Sequence, residues 1–328
     1  MSLFLARLRS ASVFPPIELV YVSNPSWPIV HHKAIPQRPL RIAVLDSSYN
    51  PATIAHLAIA SAPRPVYIDA VSGDHEHEDY DAKLLLLSIT NADKQLKPTD
   101  ATYEQRIEMM CEFAKDVEVT DKTGTVAVAI IDEPTFVGKS RMLQTFLRER
   151  IERLSSEAPS KSRPHPCQLT FLLGYDTLER FFAPRYYTKD PSSPAAVAQM
   201  HNSLRGFFSP REGDGSRIVC ARRSPESFPQ AAATLNTSLS SSSASAADKK
   251  SQSDSLTSTI NDFFTSTSLP MSECVKMIDI GEDVWSVSSS DVRRAAETGE
   301  DDRWTRMVSS KVREYILKEG LYREKAKT

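Results

Sequence analysis

The chain of 328 residues is long enough for one large α/β domain or two small ones. Its 40 basic and 42 acidic residues give a net charge of −2, which argues against a nucleic-acid partner or an anionic membrane surface and leaves any anion binding to local sites. Its four cysteines lie far apart, which argues against a disulfide framework or zinc site and favours a reducing compartment, and no apolar run approaches the roughly 20 residues that span a bilayer.

The first 39 residues are predicted to form a partly extended arm. Residues 13–39 contain six prolines, which fix φ and remove amide donors, so at most one short strand or helix is expected there. The first dozen residues carry arginines and no acid, as mitochondrial transit peptides do. The apolar, proline-broken stretch that follows does not continue such a signal. We therefore expect a cytoplasmic protein, with the nucleus as an additional location and the mitochondrion less favoured.

From Arg41 onward, short apolar runs alternate with helix-length segments. The pattern predicts strands at 41–46, 65–71, 126–132, 167–176, 216–223 and 274–281, and the strand within 167–176 enters a turn. It predicts helices at 53–62, 81–93, 102–116, 139–155, 288–299 and 309–322. Strands separated by helices form βαβ units, so the fold class expected is α/β, a doubly wound parallel sheet with helices on both faces.

Residues 224–272 interrupt this alternation. The segment is rich in serine and poor in large apolar groups, so it is predicted to be a flexible insertion. A linker between two domains is the alternative. The strand–helix pattern resumes after residue 272, which favours a single domain over 40–323, followed by a short tail at 324–328.

The first candidate site follows the first predicted strand of the sheet, where open parallel sheets bind ligands. The small residues Ser47 and Ser48 allow a phosphate to approach the backbone, and Asn50 or Thr53 can cap the following helix. His56 lies one turn into that helix, where its ring can donate a hydrogen bond to a phosphate oxygen. An ordinary capped turn with a structural histidine is the alternative.

The second candidate site is the helix predicted near the C-terminus. Ser288 and Asp291 have the spacing of a capping box, and Gly299 is placed to end the helix. Arg293 and Arg294 lie near the helix N-terminus, where a cation opposes the macrodipole by a few tenths up to about 1 kcal/mol. A bound anion reverses that cost. A solvent-exposed arginine pair on a capped helix is the alternative.

Together, the two stretches resemble the nucleotidylyltransferase superfamily, and specifically the fungal branch of the nicotinamide mononucleotide adenylyltransferases. The family motif G-S-F-N-P-x-T-x-x-H compares with residues 47–56, and its closing motif I-S-S-T-x-x-R compares with 287–293. A G-x-D segment between them is matched by Gly174 and Asp176. The resemblance covers roughly 40–225 and 274–323. Serine at position 47 and alanine at position 55 replace family glycines, which puts rate and affinity in doubt more than fold.

The resemblance implies a Rossmann-like fold and the reaction of ATP with nicotinamide mononucleotide to give NAD and pyrophosphate. It assigns His56 and Arg293 as catalytic groups. The residues implied to bind the ATP phosphates are Ser47, Ser48, Tyr49, Asn50, Thr53, His56, Ser288, Ser289, Ser290 and Arg293, with Lys94 and Lys97 aligned only loosely. Those implied for the mononucleotide are Gly174, Asp176 and Tyr187, with Arg106 and Arg222 in looser positions. Mg²⁺ is expected to bridge phosphate oxygens, held mainly by nucleotide and water.

Several of these residues have ordinary structural alternatives. Tyr187 matches a ring-stacking tryptophan of the family by position, but Tyr186 and Tyr187 can equally be packing residues. The two lysines, Arg106 and Arg222 can be surface or strand-end charges. His75 and His77 stand among acids without regular ligand spacing, which favours a solvated loop over a metal site.

Other functions stay open at this stage. One is adenylyl or cytidylyl transfer to another phosphorylated small molecule, although the R-T-E-G-I-S-T pattern usual in cytidylyltransferases is absent. Another is a nucleotide-binding regulator with residual ATPase activity. The sequence leaves undecided the oligomeric state and the choice between nicotinamide and nicotinate mononucleotide.

Overall fold

A sheet of seven strands lies at the centre of the described part of the chain. In the computed structural model, the residues described are 5–6, 16–29, 38–68, 75–76, 79–90, 99–120, 125–156, 166–188, 190, 193, 195–222 and 244–323. The strands are β1 (Ile17–Val22), β2 (Leu40–Asp46), β5 (Ala82–Ser88), β6 (Val126–Ile131), β7 (Cys167–Gly174), β8 (Arg217–Ala221) and β9 (Val275–Ile278). The strand order is β1-β6-β5-β2-β7-β8-β9. β1 is antiparallel to β6, and every other pair of adjacent strands in this sheet is parallel. Two further strands, β3 (Tyr67–Ile68) and β4 (His75–Glu76), form a separate antiparallel pair.

Helices cover both faces of the sheet. They are α1 (Ile54–Ser61), α2 (Tyr103–Thr120), α3 (Phe136–Ser156), α4 (Tyr175–Phe181), α5 (Ala196–Phe208), α6 (Ala244–Thr267), α7 (Met271–Cys274), α8 (Glu282–Trp285), α9 (Ser289–Glu297), α10 (Asp301–Trp304) and α11 (Ser310–Glu319), with a 3₁₀ turn at Pro184–Tyr186. Among the described residues, none of these helices combines the length and apolar character needed to cross a membrane.

Alternating side chains along the strands enter two separate cores. In β2, Ile42 and Val44 pack in one core, whereas Ala43 and Leu45 pack in the other. A strand buried on both faces needs apolar residues at every position, which explains the uninterrupted apolar runs of the sequence. The predicted doubly wound α/β class is confirmed, and the strand order is that of dinucleotide-binding folds.

The helix predicted at 81–93 is wrong, because residues 82–88 form strand β5. Leu84 and Leu86 face one core, while Leu85 and Leu87 face the other. Four consecutive leucines fit a buried helix and a two-sided strand equally well, so their spacing does not separate the two. Residues 91–93 of that prediction lie outside the described residues.

Part of the N-terminal arm belongs to the domain. Strand β1 pairs along β6, with Ile17 opposite Ile131, and the Trp27 side chain is fully buried. The strand predicted at 65–71 is wrong in its place in the fold, because Tyr67–Ile68 pairs with His75–Glu76 outside the main sheet. Residues 69–71 are not among those described.

The expectation of a flexible insertion over 224–272 is wrong for its second part. Helix α6 runs over Ala244–Thr267, and from Leu256 onward its apolar side chains enter a core, with Ile260, Phe263 and Phe264 buried. Phe263 stacks edge-on with Phe182 at a centroid distance of 6.0 Å. The serine-rich composition concealed this short apolar stripe. Residues 224–243 are outside the described part of the chain.

The direction in which the chain crosses the sheet reverses between β2 and β7. From β2 it moves outward to β5 and β6, and then returns to β7 on the other side of β2. Open α/β sheets bind ligands beyond the carboxyl ends of strands at such a reversal. These ends are Asp46 and Gly174, which places both the 47–56 stretch and the G-x-D segment at the crevice.

Candidate functional site

The two motifs from opposite ends of the chain meet at the carboxyl edge of the sheet. Ser289 donates from Oγ to the carbonyl oxygen of Pro51 at 2.7 Å, across 238 positions of sequence. Arg293 donates from Nη1 to the carbonyl oxygen of Asn50. We call residues 46–53 the opening loop and α9 with its cap Ser288 the closing helix. The closing helix therefore packs directly on the opening loop.

His56 is held in one orientation by the start of α1. Its Nδ1 accepts from the backbone N–H of Thr53 at 3.1 Å, so this nitrogen carries no proton. We therefore assign the proton to Nε2, which lies 2.9 Å from Ser47 Oγ and donates to it. Thr53 is the N-cap of the helix, as predicted. The N–H of the ring thus points back into the opening loop.

The electrostatic environment of His56 favours a neutral ring. Desolvation by burial lowers the pKa of His56 to about 4. The ring is therefore an uncharged hydrogen-bond donor at pH 7. His56 also has a structural role, because the same hydrogen bonds connect the opening loop to the first turn of α1.

The backbone of the opening loop turns at Tyr49. This residue has φ of +44°, and its fully buried side chain donates from the hydroxyl to Leu45 O at 2.6 Å. Its ring lies against His56, with centroids 5.6 Å apart. Ser47 does not have a positive φ, so replacing the family's glycine there imposes no left-handed backbone strain. The half-buried Ser48 completes the turn.

A carboxylate that sequence reasoning missed joins the two motifs. Asp100 Oδ1 accepts from Nδ2 of Asn50 at 2.7 Å and lies 3.5 Å from Nε of Arg293. Its other oxygen lies 3.8 Å from Nη2 of Arg106. No local pattern distinguishes Asp100, because a single acid shortly before a helix resembles an ordinary capping residue.

Two further side chains complete this network. Arg106 is buried and donates from Nε to Ala101 O at 2.9 Å and from Nη1 to Ser48 O at 3.5 Å. The resemblance grouped Arg106 with the mononucleotide, whereas the structure places it beside the opening loop. Tyr322, at the end of the described chain, donates from its hydroxyl to Asn50 Oδ1 at 2.9 Å.

A buried ion pair lies at the start of the opening loop. Lys139 Nζ is 2.5 Å from Asp46 Oδ2, and both side chains are almost fully buried. Lys139 also lies over the ring of Phe136, 4.9 Å from its centroid. A buried charge without its partner is costly, so the two side chains stay paired. Their contact joins α3 to the end of β2.

The closing helix has the caps predicted for it. Ser288 accepts from the backbone N–H of Asp291 at 3.2 Å, and Gly299 has φ of +76° after the last turn. The exposed Ser290 accepts from Nη2 of Arg293 at 3.3 Å. Arg294 points to solvent, 69% exposed, and pairs with Asp291. The two adjacent arginines therefore have different surroundings.

The other side of the crevice is less crowded. A Cβ added at Gly174 would meet no atom within 4 Å, and Asp176 in the first turn of α4 is exposed. Tyr187 donates from its hydroxyl to Phe181 O at 2.6 Å and packs against a core, in line with its structural alternative. Burial raises the pKa of Tyr187 well above its usual value.

The remaining predicted residues contribute less. Arg222 follows β8, and its backbone N–H donates to Ile278 O at 3.0 Å. Its half-buried side chain has a buried Nε without a hydrogen-bond partner within the described part of the chain. Lys94, Lys97 and His77 lie outside the described residues. Within the described ranges, no group of three or more His, Cys, Asp or Glu side chains is arranged to hold a metal ion.

The chain is similar in sequence to one curated protein. That protein, from Schizosaccharomyces pombe, is named "Putative nicotinamide mononucleotide adenylyltransferase" and is 32% identical over 183 residues, which are 56% of this chain. The match spans 53% of the relative, about half its length. No family model matches. The name of this relative agrees with the family that the motifs resemble.

Solved structures give a weaker likeness. Plasmodium falciparum nicotinic acid mononucleotide adenylyltransferase, complexed with APC, aligns with TM-score 0.39 and 12% identity over 86% of this chain and 96% of that one. Its complex with NaAD gives TM-score 0.40 and 13% identity, covering 86% and 97%. Thermotoga maritima TmcAL bound with alpha-thio ATP gives TM-score 0.33 and 12% identity, covering 85% and 55%.

Proposed function

We propose that the protein transfers the adenylyl group of ATP to nicotinamide mononucleotide, giving NAD and pyrophosphate. The observation that carries the proposal is the contact of the closing helix with the opening loop, through Ser289 to Pro51 and Arg293 to Asn50. A nucleotidylyl transfer needs donors from two directions around one phosphate chain. Similarity to the fission-yeast relative over about half of its length supports the same activity.

The reaction is an in-line displacement at the α-phosphorus of ATP. A phosphate oxygen of the mononucleotide forms the new P–O bond while the bond from the α-phosphorus to the bridging oxygen breaks, and pyrophosphate leaves with that electron pair. No covalent intermediate with the protein is required. The chain's contribution is then to position the two substrates and stabilise the developing charge.

Each group has a role in this scheme. The Nε2–H of His56, now directed at Ser47 Oγ, donates to an ATP phosphate oxygen. Arg293, with the Ser288–Ser290 hydroxyls and the first N–H groups of the closing helix, binds the β- and γ-phosphates and then pyrophosphate. Gly174 and Asp176 line the mononucleotide side.

Magnesium is assigned to the nucleotide. Among the described residues no cage of acids and histidines surrounds the phosphate site, so a Mg²⁺ ion held by phosphate oxygens and water fits the donor set. When bound, it supplies charge neutralisation to the phosphate chain.

The direct test is an assay of the purified full chain. ATP, Mg²⁺ and either nicotinamide or nicotinate mononucleotide are incubated with the protein, and the dinucleotide is identified by mass spectrometry. We expect dinucleotide with at least one mononucleotide, and loss of that product in His56→Ala with folding checked by circular dichroism. Phosphate release without dinucleotide would support the regulator with residual ATPase activity instead. Comparing the two mononucleotides also decides substrate preference.

A further inference from the structure

The carboxylate of Asp100 lies between the two arginines of the opening-loop network. It is 3.5 Å from Nε of Arg293 and 3.8 Å from Nη2 of Arg106. The Asp100 side chain is 11% exposed and that of Arg293 26%, so solvent reaches part of both side chains. In this arrangement the guanidinium assigned to phosphate is already engaged by an anion of the chain itself.

The charges around the opening loop are closely balanced. Lys139 is neutralised by Asp46, and His56 is uncharged at pH 7. Arg106, Arg293 and Asp100 together leave one net positive charge among these described groups. The guanidinium of Arg106 is buried and donates to backbone carbonyls of Ala101 and Ser48, so Arg293 is the more accessible cation.

We propose that Asp100 competes with the phosphate chain for Arg293, and thereby limits the affinity of the site for polyphosphates. The inference rests on the proposed function only in assigning Arg293 to phosphate. A carboxylate next to a phosphate-binding guanidinium repels the incoming anion and offers the arginine an alternative partner. Asp100 is thus a positioning residue that favours release of pyrophosphate after the transfer.

The isosteric change Asp100→Asn distinguishes competition with phosphate for Arg293 from structural support of the opening loop. The amide oxygen can still accept from Nδ2 of Asn50, which Asp100 now does at 2.7 Å, while the negative charge is removed. Arg293 also keeps its hydrogen bond to the carbonyl oxygen of Asn50. A purely structural role predicts weaker phosphate binding in this variant, whereas competition predicts tighter binding.

The experiment measures binding of inorganic triphosphate to the full chain by calorimetry at low salt without metal. We expect Asp100→Asn to lower the Kd about tenfold, equivalent to about 1.4 kcal/mol. Glu152→Gln is the matched control, because it removes the same charge from an exposed position in α3. Its Kd is expected to stay within about twofold of the parent, because a fully hydrated surface charge contributes little to its surroundings.

A double variant shows whether the effect passes through Arg293. In an Arg293→Gln background, the gain from Asp100→Asn should disappear. A gain that persists there would overturn the proposal, as would unchanged or weaker binding in a folded Asp100→Asn protein. If circular dichroism shows that Asp100→Asn does not fold, Asp100→Ser, which keeps an oxygen acceptor, is tested by the same criteria.

The outcome is separable from that of the proposed function. Tighter triphosphate binding without any dinucleotide synthesis would sustain the role of Asp100 and remove the adenylyltransferase. Dinucleotide synthesis together with unchanged triphosphate binding in Asp100→Asn would sustain the adenylyltransferase and remove the role of Asp100. With both intact, pyrophosphate should inhibit the Asp100→Asn enzyme at about tenfold lower concentration, following the change in its Kd.

Discussion

The two sides of the crevice differ in how far the chain alone fixes them. On the side proposed to bind phosphate, called the phosphate side below, His56 bonds to Ser47 and Thr53, and Arg293 is held by Asn50 and Asp100. On the side proposed to bind the mononucleotide, a Cβ at Gly174 would meet no described atom within 4 Å apart from its chain neighbours, and Asp176 is exposed. The phosphate side is therefore organised before any ligand binds.

This difference follows from the chemistry of the two ligand parts. Phosphates need several charged or N–H donors converging on one point, and donors that are buried need partners in the chain or in ordered water when no ligand is bound. A nucleoside needs shape and a few polar contacts, which an open surface can supply. Changes on the phosphate side should therefore affect both stability and turnover, whereas changes on the other side should affect substrate affinity.

The largest effect is expected from Arg293→Gln. Removing the guanidinium should lower kcat/KM for dinucleotide synthesis by about 10²–10³, the scale for losing a donor to developing charge. Arg294→Gln is the adjacent control, because Arg294 is exposed and its guanidinium pairs with Asp291 of its own helix. We expect that control to stay within about twofold of the parent. Equal losses in the two variants would show that the closing helix acts only through its net charge.

The second effect is a pH dependence of stability carried by His56. Its pKa in the folded protein is lowered to about 4 from the usual 6.5, so between these values the unfolded chain binds the proton and the folded one does not. Stability should therefore fall as pH drops from 6.5 to 4, by about 1–3 kcal/mol from this group. Urea denaturation at pH 7 and pH 5 should show a smaller loss in His56→Asn. Identical losses in parent and variant would mean that the ring does not carry this dependence.

The third effect concerns the open side. Gly174→Ala adds a methyl group that would meet no described atom within 4 Å beyond its chain neighbours, so the unfolding free energy should change by less than about 0.5 kcal/mol. If the mononucleotide occupies that space, its KM should rise about tenfold while the KM for ATP is unchanged. Gly206→Ala, also without a neighbour within 4 Å but placed in α5, is the control and should alter neither KM. An unchanged mononucleotide KM in Gly174→Ala would remove this glycine from the binding surface.

The smallest effect is expected from Tyr322→Phe. Loss of the hydroxyl that donates to Asn50 Oδ1 should lower the unfolding free energy by about 1 kcal/mol. The control is Tyr315→Phe, because Tyr315 donates to Glu108 at 2.8 Å, apart from the opening loop. Chemical denaturation should give similar losses, while only Tyr322→Phe should raise the KM for ATP. A matching rise in Tyr315→Phe would show that the C-terminal region acts through general stability.

Local sequence signals predicted much of the phosphate side. Thr53 and Ser288 are recognisable as caps, with His56 three residues after the first and Arg293 five residues after the second. Asp100, Lys139 and Tyr322 could not be predicted in the same way. Each acts on a residue at least 50 positions away, so no local pattern distinguishes it from a surface charge or a packing aromatic.

The failed element predictions have the same cause. The four leucines at 84–87 form a strand because alternate side chains are buried in two cores on opposite faces of the sheet. Phe263 and Phe264 lie in a serine-rich segment, which is helical because these two side chains pack into one of the cores. Propensity and composition describe the chain without its neighbours, and burial against distant elements outweighs them.

The sequence by itself determined the α/β class, the caps of the two site helices and the donors they carry, because these depend on periodicity and on hydrogen bonds within a few residues. Only the tertiary structure decided that the closing helix packs on the opening loop, and that Asp100 lies between Arg106 and Arg293. Strand order and the burial of both sheet faces bring these distant residues together, and neither is encoded in any single stretch of the chain.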